Sequence, residues 1–142
     1  MISVKNNLNV VRASAGYDLL VMLAFVTPWT ATWLFEVFAA LSQALALTRP
    51  TPTLAGDAML LANLLGSVVV VWSLWRLRNP SRRVGWYDAL ARLLFTVWQV
   101  VAVAHGASFL VLGFTVMEVV FGLAQVWPVK AAGRKQTPAP SV

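Results

Sequence analysis

Apolar residues run along this chain in blocks of about twenty, and the few polar residues inside the blocks return at helical intervals. Four blocks stand out, at about residues 18–40, 58–75, 86–104 and 107–127. Each is about the length that crosses the ~30 Å hydrocarbon core of a bilayer. Backbone amides in hydrocarbon must bond within their own segment, so isolated blocks of this length read as helices. The pattern predicts an all-α, integral membrane four-helix bundle over residues 17–127. A cytoplasmic N-terminal segment, 1–16, precedes it, and a Pro-rich, disordered cytoplasmic tail, 128–142, follows.

Within the blocks the polar positions share faces. Ser108, Thr115, Glu118, Gly122 and Gln125 form one stripe in the last block, and Asp88, Arg92, Thr96 and Gln99 another in the third. Asn63, Gly66 and Ser73 mark a face of the second; Asp18 and Glu36 lie along the first. Such stripes turn inward, leaving Leu, Val and Phe toward lipid. Pro28 is expected to kink the first helix near mid-membrane, and Gly106 to cap the third helix at a tight hairpin.

Offsetting the chain by 70 residues lays Tyr17-Asp18-Leu19-Leu20 over Tyr87-Asp88-Ala89-Leu90. The match reads as a 2+2 parallel repeat of helical hairpins. The plainer explanation is that apolar helices match by chance and that Asp is favoured at helix N-termini.

Composition fixes the class. The chain is 59% hydrophobic and 11% charged, which excludes an ordinary water-soluble domain. Ten of the eleven Lys and Arg fall on one side of the four-span arrangement, from Lys5 and Arg12 through Arg76, Arg78, Arg82, Arg83 and Arg92 to Lys130, Arg134 and Lys135. Arg49 alone falls on the other, so both termini are expected in the cytoplasm, with the chain multi-pass in a bacterial inner membrane. The net charge of +6 then signals orientation and contact with anionic lipids rather than nucleic acid. The absence of cysteine excludes disulfides, thiol redox chemistry and thiolate metal sites. Ala13-Ser14-Ala15 follows no apolar stretch and is not read as a cleavage site.

Glu118 carries the strongest chemical signal, because a carboxylate in mid-span costs several kcal/mol unless it is paired, wetted or protonated. Once the topology is drawn, the polar residues sort by depth. Glu118, Glu36, Asn63, Gln99 and His105 form a candidate intramembrane polar site. Asp18, Asp88 and Arg92 form a structural ion cluster nearer the cytoplasm, with Gln125 in the same layer and Arg76 close by. Arg92 is expected to pair with Asp88 one turn below it and with Asp18 across the bundle. Glu118 either meets Arg92 or bonds to Gln99 or Asn63. Trp75, Trp86 and Trp127 suit the inner interface, while Trp29, Trp33, Trp72 and Trp98 pack between helices or line a pocket.

Nothing here forms a catalytic set. One histidine beside a glycine turn makes neither a metal triad nor a nucleophile–base pair, and no phosphate-binding glycine loop or HExxH motif occurs. The reading is therefore non-enzymatic, without metal or cofactor.

In size and topology, residues 17–127 are similar to the DoxX-like group of small four-helix inner-membrane proteins of bacteria. That resemblance implies the shape of the molecule and carries over no site residue. The function expected is that of a small accessory or binding protein, a homo-oligomer or a subunit of a larger membrane complex. The alternative is a proton-linked small-molecule transporter using Glu118 and Glu36.

Overall fold

The computed structural model describes residues 1–49 and 51–129. Pro50 and residues 130–142, which include the expected tail with Lys130, Arg134 and Lys135, lie outside them. Among the described residues five helices follow one another, α1 (Val4–Leu23), α2 (Pro28–Ala44), α3 (Gly56–Arg78), α4 (Arg82–Ala104) and α5 (Val111–Val126).

This corrects the expected four-helix bundle. Among the described residues only α3 and α4, at 23 residues each, are individually long and apolar enough to cross a membrane. The α1–α2 pair passes that test only jointly, with a bend of 98° between its halves, and α5 is a shorter apolar helix. The 2+2 repeat falls with the count, since three helices stand where the first hairpin would supply two.

Pro28 is the physical reason. Its ring permits no backbone N–H and clashes with the preceding turn, so instead of kinking one helix it starts another. Thr27 is the N-cap, in extended conformation, and its hydroxyl accepts from the Thr30 amide at 3.2 Å. The first helix also begins earlier than hydropathy indicates. Ser3 caps it by accepting from Asn6 N at 3.1 Å, and residues 4–16 belong to the same helix as Asp18.

α1 packs chiefly on α3 and α4 on α5, while α1 also touches α4 and α5. α2 lies on α3. The start of α1, the α3–α4 turn and the end of α5 gather at one end of the molecule. Ile2 N donates to Pro128 O at 3.0 Å, Asn7 Nδ2 to Gln125 O at 2.9 Å, and Gly85 abuts Val11 and Gln125. At the other end Gly106, with φ +105°, closes α4: its amide bonds to Val103 O and that of Ala107 to Ala102 O. Arg49 braces this turn, donating to the carbonyls of Val103 and Ala107 with its guanidinium 4.2 Å from the centre of the Phe109 ring.

The interior inverts that of a water-soluble protein. Among the described residues eleven buried ones are polar or charged, against five buried apolar ones, while Leu60, Leu61, Val68, Val71, Leu93 and Trp98 stand exposed on α3 and α4. Apolar surface around a polar interior is the arrangement suited to hydrocarbon solvent and is consistent with membrane association.

The segment that follows α1 comes close against α3. A Cβ added at Gly66 would lie 2.7 Å from Phe25 Cβ and 2.9 Å from its carbonyl carbon, and the backbone there cannot yield as a flexible side chain would. Gly66→Ala should therefore destabilise the protein by about 1–3 kcal/mol, read as a lowered thermal midpoint in mild detergent. Gly113→Ala on α5, which meets nothing within 4 Å, should cause no loss. Equal midpoints for both variants would refute the close approach.

Candidate functional site

Four helices converge on one buried cluster of two arginines and three carboxylates. The stripe that reaches it on α1 is Asn7, Val11, Ser14 and Asp18, spaced for one helical face. Ser73 and Arg76 come from the last turns of α3, Asp88 and Arg92 from one face of α4, and Glu118 and Gln125 from α5.

Arg92 holds the centre, and each of its nitrogens serves a different carboxylate. Nε donates to Asp88 Oδ2 at 3.0 Å, Nη2 to Asp18 Oδ2 at 2.6 Å and Nη1 to Glu118 Oε2 at 2.7 Å. The planar, delocalised fork makes this three-way contact available to arginine and not to lysine. The guanidinium also lies 5.2 Å from the Phe121 ring centre.

Arg76 is the second cation, and its side chain is 0% exposed. It pairs with Asp18 and, at 2.5 Å, with Asp88 Oδ1, and it donates to Ser73 Oγ at 3.1 Å. Around Asp88, Gln125 Nε2 donates to Oδ2 at 2.7 Å and to Ser14 Oγ at 2.6 Å. Among the described residues two buried side-chain atoms lack partners, Arg76 Nε and Gln125 Oε1.

Arg76, expected only close by the cluster, is a full member of it. Counted with the loop cations at the end of an apolar block, it reads as an orientation signal, whereas the helix turns it inward. Its spacing of three from Ser73, on the polar face of α3, is the signal that locates it. Ser14 was concealed in the same way by its place in a polar N-terminal stretch.

Above the cluster lies a cavity of about 570 Å³. Asp18, Asp88, Arg92 and Glu118 form its floor, Phe25, Trp72, Phe95, Trp98 and Phe114 are among its walls, and Phe35 and Phe38 of α2 reach it as well. Thr51, Pro52 and Ala107 line it from the end opposite the chain's first residues. Edge-to-face contacts link Phe25, Phe35, Phe38 and Phe114 in a chain, with centres 5.8 to 6.2 Å apart.

The residues grouped from sequence as one polar site do not come together. Glu118 and Gln99 both line the cavity, and Gln99 Oε1 accepts from Thr115 Oγ1 at 2.8 Å. Asn63 instead donates to Phe25 O at 2.8 Å, next to the break between α1 and α2. His105 is exposed, its Nδ1 2.8 Å from Val101 O. Glu36 is exposed on α2 and is not among the cavity residues. Asp18, Asp88 and Arg92 do meet, together with Arg76 and Glu118.

No family model, curated protein or solved structure matches the chain. The geometry alone therefore carries the functional argument.

Removing a cation from this cluster strands buried carboxylates. Arg92→Leu should destabilise the protein by about 3–5 kcal/mol, and adding Asp88→Asn should recover part of that loss. Arg92→Lys should fall between, since it keeps the charge and loses the fork. Thermal melts of the single and double variants decide the matter, and strictly additive losses would refute the coupling.

Proposed function

We propose that this is a small multi-pass protein of the bacterial inner membrane, of accessory or binding type, that holds a lipophilic small molecule in the aromatic cavity above its ion cluster. The cavity carries this reading. Its volume, about 570 Å³, falls within the range of small-molecule sites, and it joins apolar walls to a few convergent charged groups. The likeness in size to DoxX-like membrane proteins belongs to the same proposal, as do contact with anionic lipids and assembly into a homo-oligomer or larger complex.

The positions of the exposed cations support the orientation. Lys5 and Arg12 on α1 and Arg78, Arg82 and Arg83 at the α3–α4 turn share the end of the molecule where Ile2 meets Pro128, and Arg49 belongs to the opposite end. By the excess of positive charge, the first end is cytoplasmic.

A second reading, proton-linked transport, has one observation in its favour. Glu118 also lines a smaller cavity of about 340 Å³ between α4 and α5, so one carboxylate stands between two hollows. Glu36 lines neither.

Two experiments test the proposal. Because the natural chain has no cysteine, single substitutions report orientation without background. In intact cells, Thr53→Cys should react with a membrane-impermeant maleimide and Asn79→Cys should not; labelling of both would overturn the multi-pass reading. For the cavity, protein extracted gently should carry a lipophilic molecule detectable by mass spectrometry. Ala102→Trp, which fills the cavity from α4 without touching the ion cluster, should lose that molecule at unchanged thermal stability. Retention of the molecule by Ala102→Trp would show that the cavity is not its site.

A further inference from the structure

The ion cluster does not balance. Arg76 and Arg92 bring two positive charges against the three negative charges of Asp18, Asp88 and Glu118, so the formal charge of the group is −1. The imbalance is not spread evenly over the carboxylates. Asp88 uses both oxygens, Oδ1 toward Arg76 and Oδ2 toward Arg92 and Gln125. Glu118 takes its ion pair through Oε2 alone, and Asp18 takes both of its pairs through Oδ2. Glu118 Oε1 and Asp18 Oδ1 have no hydrogen-bond partner among the described residues, and both side chains line the floor of the large cavity. The Glu118 side chain is 11% exposed, so this is a largely buried carboxylate with one oxygen unengaged beside the cavity.

Arg92 in the floor is already shared among three carboxylates, and the remaining charge and the walls favour one kind of occupant. A surplus negative charge in a low-dielectric site is costly until a positive charge joins it. The walls present Tyr17, Phe25, Phe35, Phe38, Trp98 and Phe114, whose ring faces attract cations and whose apolar surface attracts hydrocarbon. A small inorganic ion does not fit this description. The walls are mostly aromatic and aliphatic rather than oxygen-bearing, and the three carboxylates beneath them are already engaged by two arginines.

Resting on the binding reading above, we propose that the cavity's ligand is a lipophilic organic monocation, its charged centre against Glu118 and Asp18 and its apolar body among the aromatic walls. The ligand supplies the positive charge the cluster lacks.

The test uses two probes of the same shape and opposite charge, tetraphenylphosphonium and tetraphenylborate, with an uncharged aromatic fluorophore as a third, against the purified full chain in nanodiscs of uncharged lipid. The cation should bind at least about tenfold more tightly than the anion, a modest requirement for one favourable charge contact. Glu118→Gln, which removes the surplus charge at nearly constant volume, should reduce that preference to about parity. Gln99→Lys places a positive charge in the cavity wall and leaves the floor pairs intact, and Thr115 keeps its bond to Val111 O. It should abolish the cation preference even where Glu118→Gln folds poorly. Equal binding of the two ions by the natural protein, or a preference that survives Gln99→Lys, would overturn the inference. If the fluorophore binds while the ions are not distinguished, the charge argument fails and the binding reading stands. If none of the three binds, both fail.

Discussion

The contact on which the rest of this structure depends is the guanidinium of Arg92 shared among three carboxylates on three helices. In hydrocarbon, apolar side chains gain nothing by leaving lipid for one another, so helices are held by packing and by interhelical polar bonds. Arg92 supplies those bonds from α4 to α1 and α5, and Arg76 ties in α3 through the same two aspartates. Because each carboxylate is fixed by a directed donor, register and rotation of four helices are set together. A helix that turned by one residue would bury an unpaired charge.

That same cluster explains why a cavity exists above it. Arg92, committed to three partners, cannot swing upward to fill the space, and Glu118 is held down by Nη1. The bend of 98° between α1 and α2 carries α2 away from the line of α1, so no straight first helix fills the half of the molecule beyond Pro28. α2 contributes Phe35 and Phe38 to the cavity instead, through the inward face it shares with Ala31 and Ser42, and presents Trp29 and Trp33 outward, 79% and 62% exposed. One proline thus converts what hydropathy reads as a single span into a wall and a cover.

The parts of this arrangement legible in the sequence were those where polar residues interrupt a strongly apolar block. Asp88 and Arg92, four apart, and Thr115, Glu118 and Gln125 on α5 stand out against Leu and Val, and helical spacing alone puts each set on one face. The parts that were not legible lay where the contrast vanishes. Asn7 and Ser14 sit in a polar stretch, where a buried polar residue looks like a solvated one, so the start of α1 was hidden. Arg76 borders a basic turn, and a cation at the end of a span has two readings that only the helix phase separates. Pro28 announced a discontinuity, but whether a proline kinks a helix or ends it depends on what receives the freed backbone groups. Here Thr27 caps the new start.

The arrangement of bonds at Glu118 bears on what the cluster can do beyond holding helices. Arg92 bonds Asp18 and Asp88 through two of its nitrogens, and Arg76 bonds the same two residues, so that square of charges is neutral and complete without α5. Glu118 is the fifth member, attached by a single nitrogen, and it brings the surplus charge. Its departure from Arg92 would break one ion pair and leave the other four in place. A neutral residue at 118 would spare α5 the burial of a charge but would give up the ion pair that ties α5 to α4. Glu118 is held through one oxygen beside a finished ion square while its side chain lines the cavity, so the bond that fastens α5 also borders the site proposed for a ligand.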